Sequence, residues 1–127
     1  MLALTLAYLF PGIDFTRDVV IQADQGLVEW RRPEPQPTPA EIAAAELPAA
    51  KAATIAANRA ECERRIYERY PIGRQLSALA GRYDASKVAI MDDWIVANIA
   101  AENTAADLIE AATTVQAVEA VTVAWPV

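Results

Sequence analysis

The stretch Arg69-Tyr-Pro-Ile-Gly-Arg-Gln75 decides the fold, because its proline ends one long helical segment and lets another begin. Pro71 lacks a backbone donor and clashes with the preceding turn, so a helix that reaches Tyr70 must stop there. Farther along, apolar residues recur at steps of three and four from Val88 to Ile109, which predicts a second long helix. Two long helices around a proline corner indicate a helical hairpin, a shape suited to holding another protein.

The first long helix has a clear start. Thr38 is placed as the N-cap, Pro39 takes the first helical position, and Glu41 completes a capping box. We therefore predict a helix from residue 39 to about Arg69. Pro48 should kink it or interrupt it at the preceding residue, because proline removes a hydrogen bond inside a helix.

The proline corner itself should hold a short helix around Gln75–Ala80, which Gly81 closes. The second long helix is then expected to start near Asp84 or Ser86. Beyond the helices, Val121–Trp125 alternates apolar and polar residues, so it is either a short strand or an extended tail.

The N-terminal residues 1–32 form a separate unit. Val19–Gln22 and Leu27–Trp30 are predicted to be strands, with Gly26 in the left-handed position of a hairpin loop. Residues 2–10 are apolar throughout, so helix and strand both remain open. A two-stranded hairpin is only marginally stable alone in water. It must therefore pack against residues 2–10, against the C-terminal tail, or against another chain.

Together these patterns predict a mainly α protein with a small N-terminal β-hairpin, an α+β chain whose helical part is a hairpin or bundle of three to four helices. The expected division is a β-hairpin unit (1–32), a proline-rich linker (33–38), a helical domain (39–120) and an extended tail (121–127). Three prolines favour a semi-rigid spacer for the linker, and a recognition segment for an aromatic groove is the alternative.

Charge narrows the class of partner. The net charge is −6 and the pI about 4.6, which argues against nucleic-acid binding. Residues 51–82 carry a net charge of +4 and residues 83–127 a net charge of −6, which favours antiparallel pairing of the two segments; two independently solvated faces are the alternative.

Met1–Phe10 is too short to span a membrane and is expected to be part of the fold rather than a signal peptide. We therefore expect a soluble protein with no membrane partner.

The sequence lacks the residues and motifs that are typical of catalytic sites. The chain has no histidine and a single cysteine, Cys62, expected to be a buried hydrophobe. Asp92 and Asp93 are adjacent, so on a helix they point about 100° apart and do not converge on one atom. No glycine-rich phosphate loop or catalytic triad pattern occurs. We expect no catalytic, cofactor-binding or metal-binding residues, and hence no enzyme.

Asn98 and Glu102 lie one turn apart inside the apolar stripe of the second long helix. A buried polar group without a partner costs about 1–3 kcal/mol, so both should be paired. The expected partners within the chain are Gln75, Arg74 or Arg69; a contact with another protein is the alternative.

Large amphipathic rings and arginines dominate protein–protein hot spots. Of the rings of Tyr67, Tyr70, Trp94, Trp30 and Trp125, about half are expected to be buried within the chain. The candidate partner-contact residues are Trp30, Tyr67, Tyr70, Arg74, Gln75, Trp94, Asn98, Glu102 and Trp125.

Two parts of the chain resemble small tail proteins of bacteriophages and defective prophages. The first is similar to XkdW-like tail proteins, through Leu6–Pro11, Asp14-Phe15, Val20–Asp24, Gly26, Trp30, Pro35–Thr38 and Glu41-Ile42. The second resembles the C-terminal helical part of tail-fibre assembly proteins, through Arg69–Pro71, Gln75, Met91–Ile95, Asn103, Ile109–Thr113 and Trp125-Pro126. The alanine-rich Ala43–Ala57 departs from the family pattern and lengthens the first helix.

The resemblance implies a role in tail-fibre assembly or attachment, as a chaperone or as a subunit of the virion. It implies a tail-fibre or baseplate partner, three copies on a trimeric fibre, and a place in the tail or in the host cytoplasm during assembly. It offers no catalytic residues. The acidic charge allows one alternative from another class, a small phage-encoded protein that binds and regulates a host protein.

Overall fold

A computed structural model describes all 127 residues. Five helices and two strands occur along the chain. They are α1 (Leu2–Leu9), β1 (Val19–Gln22), β2 (Gly26–Trp30), α2 (Pro39–Arg69), α3 (Ile72–Leu79), α4 (Ala85–Ala111) and α5 (Val115–Glu119). Because 62% of the residues are helical and the only sheet is a two-stranded antiparallel hairpin, the predicted class, mainly α with a small N-terminal β-hairpin, is confirmed. The open choice for residues 2–10 resolves as helix, and residues 121–127 form neither helix nor strand.

Helix α2 begins with the predicted capping box. The Glu41 N–H donates to Thr38 Oγ1 at 3.1 Å, and the Thr38 N–H donates to Glu41 Oε2 at 2.7 Å. Of the kink or interruption expected at Pro48, the interruption is wrong, because α2 is one unbroken helix of 31 residues that includes Pro48. The alanines that follow it, Ala49 and Ala50, are 1% and 5% exposed. Packing on this stretch therefore outweighs the local cost of the proline.

Helices α2 and α4 form the antiparallel hairpin that the sequence predicted. Lys51 Nζ donates to the Glu110 carbonyl at 2.6 Å. Farther along α2, Arg65 Nε donates to Asn98 Oδ1 at 2.9 Å. As the residue number rises on one helix it falls on the other, which defines the antiparallel arrangement. The basic segment thus lies along the acidic one, although two neutral oxygens accept these two bonds.

The end of this hairpin opposite the proline corner holds the core cluster. Ala50 of α2, Ile109 of α4 and Val118 of α5 pack together, with Ile109 and Val118 fully buried. Alanine on α2 lets α4 and α5 approach closely, because it adds little side-chain volume between the backbones. Only 16 of the 127 residues are buried, so this core is small for the length of the chain.

The N-terminal unit is built on α1, which packs against the first part of α2. The hairpin turns at Gly26, whose φ of +72° is the left-handed value predicted for it. Of the three supports left open by the sequence, α1 is the one observed: the Phe10 ring at its end meets Trp30 of β2 edge-on, with ring centroids 4.9 Å apart. Leu6 of α1 and Val19 of β1 are both buried.

The proline corner carries α3, which begins at Ile72, three residues before the predicted start. The Gln75 side chain donates to the Tyr70 carbonyl at 2.8 Å, so it satisfies a carbonyl left free where α2 ends. Gly81, with φ +76°, follows α3. Asp84 then caps α4 by accepting the Lys87 N–H at 2.9 Å. Helix α3 makes no extensive contact with any other element.

Candidate protein-binding surfaces

Four of the nine residues predicted to contact a partner lie along the seam between α2 and α4. Trp94 and Trp125 flank the guanidinium of Arg65, whose carbon lies 5.5 Å and 5.4 Å from the two ring centroids. The same guanidinium donates to Asn98 Oδ1 at 2.9 Å and to the Pro126 carbonyl. We call these five residues the Arg65 clamp. It fastens the last residues of the chain to the helical hairpin.

Asn98 is paired within the chain, as the sequence favoured, but the expected partners are wrong. Its amide accepts from Arg65 and donates to the Trp94 carbonyl at 2.9 Å, and its side chain is fully buried. Arg69, one of the expected partners, instead stacks on the Trp94 ring at 4.3 Å. Tertiary packing therefore uses an arginine one turn earlier on α2 than the sequence indicated.

Glu102, one turn along α4, is held more loosely. It is 8% exposed, and its Oε1 lies 3.7 Å from Arg59 Nε, within ion-pair range but beyond hydrogen-bond distance. Gln75, Arg74 and Arg69 are again not the partners. Burial, followed by the negative charge of Glu102, raises the pKa of the nearby Cys62 thiol. Cys62 is 6% exposed, so it occupies the buried position predicted for it and is held as the neutral thiol.

Trp30 lies far from the seam, in the N-terminal unit. Its indole donates to the Glu34 carbonyl at 2.7 Å while its ring meets Phe10. Beside it, Arg32 binds both Asp18 and Glu34 and closes the linker onto the hairpin. The observed contacts of Trp30 thus join β2 to α1 and to the linker.

The expectation that about half of the five large rings would be buried is wrong. Trp30, Tyr70, Trp94 and Trp125 are partly buried, and Tyr67 is 49% exposed. The rings lie at edges of a narrow molecule rather than in a central core. This leaves aromatic surface accessible along the hairpin.

Helix α3 presents its apolar side to solvent. Ile72, Leu76 and Leu79, which we call the α3 apolar face, are 58%, 58% and 85% exposed. The partly buried residues of the helix are instead Gln75, Ser77 and Ala78. An amphipathic helix normally turns its apolar stripe toward the core, so this orientation is inverted. These three residues were not among the predicted contact residues, although their spacing of four and three places them on one face of a helix.

A groove opens beside α3, between the end of α2 and the start of α4. Its volume is about 380 Å³. We call it the tyrosine groove; its lining residues are Tyr70, Arg74, Tyr83, Lys87, Ile90 and Met91. Tyr70 and Arg74, two of the predicted contact residues, therefore meet here, whereas Gln75 is engaged with the Tyr70 carbonyl and Tyr67 lies beside Ile72.

The molecule as a whole exposes more surface than its mass requires. Its accessible surface is 8161 Å², whereas a compact monomer of 13.8 kDa exposes about 6,600 Å². The excess comes from a long helical hairpin with a small core.

No helix is both long and apolar enough to cross a membrane. No three acidic or cysteine side chains lie together as a metal site requires.

The fold and these surfaces define a small helical protein with exposed apolar faces. Residues 2–54, from α1 to the first half of α2, match the family model described as XkdW protein. This family is phage-associated, and the match confirms the resemblance to XkdW-like proteins over that part of the chain. No curated protein and no solved structure matches the chain.

Proposed function

We propose that this chain is a non-enzymatic accessory protein of a bacteriophage tail, which binds a tail-fibre or baseplate component through the α3 apolar face. The observation that supports it most is the inverted orientation of α3, with Leu79 85% exposed at its end. Transfer of such a side chain from water to an apolar partner is favourable by about 1.5–3 kcal/mol. A partner that covers the whole face therefore gains substantial affinity.

The surroundings of α3 suit a protein partner. Tyr67 and Pro71 adjoin Ile72 at the corner, so the apolar surface continues from α3 onto the end of α2. Aromatic and large aliphatic side chains that are exposed together mark interaction surfaces on soluble proteins. The shallow space at this corner also favours a protein surface over a small molecule, because small-molecule sites enclose most of their ligand.

Two mechanisms follow for such a surface on a tail protein. The chain covers apolar fibre surface until the fibre has trimerised, as an assembly chaperone, or it stays as a joint between fibre and tail in the virion. Three copies on a trimeric fibre fit either mechanism. The chain would be found in the tail or in the host cytoplasm during assembly. The XkdW match over residues 2–54 supports the phage setting.

The test is co-expression of the chain with the tail-fibre gene of the same phage. We expect more soluble, trimeric fibre with the chain than without it, and co-purification of the two proteins. Leu76→Asp should abolish co-purification. Leu108→Asp is the matched control, because Leu108 is 56% exposed on α4, away from α3, and the chemical change is the same.

The outcomes separate the alternatives. Equal yield and trimerisation of the fibre without the chain, together with its absence from purified virions by mass spectrometry, would overturn the proposal. Capture of one specific host protein from uninfected lysate, lost in Leu76→Asp and kept in Leu108→Asp, would favour a regulator of a host protein instead.

A further inference from the structure

We infer that the tyrosine groove is a second docking site, which takes a segment of a partner protein with an apolar anchor residue flanked by carboxylates. This inference rests on the proposed function, because it names the chemistry of a partner that the α3 apolar face alone does not specify. The groove is lined by Tyr70, which follows α2, and by residues of α3, of α4 and of the loop between them, so it exists only once the proline corner has folded.

The apolar part of the groove holds the anchor. Tyr70 is partly buried and Met91 is 7% exposed, so these two supply a fixed floor. Tyr83 and Ile90, 38% and 58% exposed, stand at the open side. A volume of about 380 Å³ is near the lower end of roughly 300–1,000 Å³ for ligand pockets. One or two apolar side chains of a partner therefore fill it, whereas a folded domain does not.

The charged part of the groove selects acidic flanks. The chain has 11 basic side chains, and eight of them bind a carboxylate, a carbonyl or an aromatic ring within the chain. The three without such a partner all lie at the α3 end of the molecule: Arg74, Arg82 and Lys87. Two of these, Arg74 and Lys87, line the groove.

No carboxylate lines the groove to neutralise these cations. Asp84 lies outside the lining and caps α4, where it accepts from the Lys87 N–H at 2.9 Å and from Ser86 Oγ at 2.7 Å. These two bonds and, to a smaller degree, the Lys87 charge lower the pKa of Asp84, but the Lys87 and Asp84 side chains do not form an ion pair. An acidic chain of net charge −6 thus keeps an unpaired cationic rim around one apolar groove. Complementary carboxylates on a partner would pair with that rim and exclude basic segments.

The groove and the α3 apolar face can be tested separately. Arg74 and Leu76 are two positions apart, so they point about 200° apart around α3. A substitution in the groove therefore leaves the apolar face intact. A partner that engages both sides would hold α3 between two contacts.

The direct test measures fluorescence anisotropy of short labelled peptides with the full chain. One peptide carries a Phe-Leu pair flanked by Asp and Glu; the second carries the same pair flanked by Lys and Arg. We expect the acidic peptide to bind at least about tenfold more tightly than the basic one. The double variant Arg74→Glu/Lys87→Glu should lower its affinity by at least about tenfold. Both side chains are exposed, so circular dichroism and Tm should not change.

Arg82→Glu is the matched control, because Arg82 is exposed and unpaired but does not line the groove. Its affinity for the acidic peptide should fall by less than about threefold. Equal binding of the two peptides, or an equal loss in Arg82→Glu and in the double variant, would overturn the inference. A dimer of the chain in sedimentation that the double variant dissociates would overturn it too, since the groove would then hold a second copy.

The fibre experiment distinguishes this inference from the proposed function. If the acidic peptide does not bind while the fibre still co-purifies and is lost in Leu76→Asp, the groove inference fails and the proposed function stands. The opposite result is that the fibre never co-purifies, whereas the acidic peptide binds the chain and this binding is lost in the double variant. The proposed function then fails, and the groove is a docking site for another protein.

Discussion

Arg65 of α2 donates its Nε–H to Asn98 Oδ1 of α4 at 2.9 Å, and Asn98 is fully buried at this contact. The bond joins residues 33 positions apart in sequence. Asn98 also donates to the Trp94 carbonyl, so both ends of its amide are satisfied only when the two helices are aligned as observed. A shift of one helical turn would leave a buried amide unpaired, which costs about 1–3 kcal/mol. This pair therefore sets the register of the hairpin.

Arg65→Ala tests that role. Loss of the bond to Asn98 and of the stacking on two tryptophans should lower the free energy of unfolding by about 2–4 kcal/mol. Chemical denaturation followed by circular dichroism measures it. Arg64→Ala is the matched control on the same helix, since exposed Arg64 pairs only with Glu61 and Glu68, and its cost should stay below about 1 kcal/mol. Equal losses in the two variants would contradict the role of Arg65.

The sequence predicted well what depends on neighbours along the chain. The start of α2 follows from Thr38 and Glu41, the hairpin turn from Gly26, and the end of α2 from Pro71. Each is a property of a few adjacent residues, because a cap or a turn is made within one helical turn or one loop. The antiparallel pairing of α2 and α4 followed from charge and apolar spacing.

What the sequence could not predict depends on how helices are placed against each other. Arg69 was expected to pair with Asn98, but it stacks on Trp94, and Arg65 reaches Asn98 instead. A displacement of one turn between two helices changes every partner, and no local pattern encodes it. The exposure of the α3 apolar face was not predicted for the same reason. The spacing of its residues shows that they share a face, whereas the packing of the helices decides where that face points.

Cys62 should report the opening of the seam. Its burial and its raised thiol pKa leave little thiolate in the folded chain, so labelling by iodoacetamide at neutral pH should be on the order of a hundredfold slower than in guanidinium chloride. Arg65→Ala should label faster than the native chain, because weaker closure of the seam exposes the thiol more often. Native labelling as fast as that of the unfolded chain would show that the seam is open.

Asp18 should make the stability of the β1–β2 hairpin depend on pH. Its carboxylate accepts from the Asp14 N–H, and from Arg17 and Arg32, which together hold its pKa below the ordinary 3.8. A lowered folded pKa means that the contribution is complete above 3.8 and is lost as the pH falls through the folded value.

Asp18→Asn removes this linkage. Urea unfolding of the β1 and β2 amide signals by NMR should show a lower midpoint than native at about pH 6, and the difference should shrink toward about pH 2. Asp24→Asn is the control, because Asp24 is exposed in the hairpin loop, and it should leave the midpoint close to native throughout. A difference for Asp18→Asn that is independent of pH would exclude the charge as its cause.

Thr38→Ala should weaken the start of α2. It removes the acceptor of the Glu41 N–H and half of the capping box, at a cost of about 1 kcal/mol. Thr54→Ala makes the same substitution inside the same helix, where the hydroxyl only bonds back to the Ala50 carbonyl. It should change the free energy of unfolding by less than about 0.5 kcal/mol. If both substitutions cost the same, the cap is not what holds the N-terminal end of α2.

Asn98 and Glu102 are both buried polar residues on one face of α4, yet they should respond differently to substitution. Asn98→Ala leaves Arg65 without its acceptor in the seam and should cost about 2 kcal/mol. Glu102→Gln keeps the shape and removes a buried charge that only a 3.7 Å ion pair to Arg59 offsets. Because desolvation of a buried carboxylate opposes such a pair, the free energy of unfolding should change by less than about 1 kcal/mol. A loss for Glu102→Gln as large as that for Asn98→Ala would mean that the Arg59 pair, and not the Arg65 clamp alone, aligns the two helices.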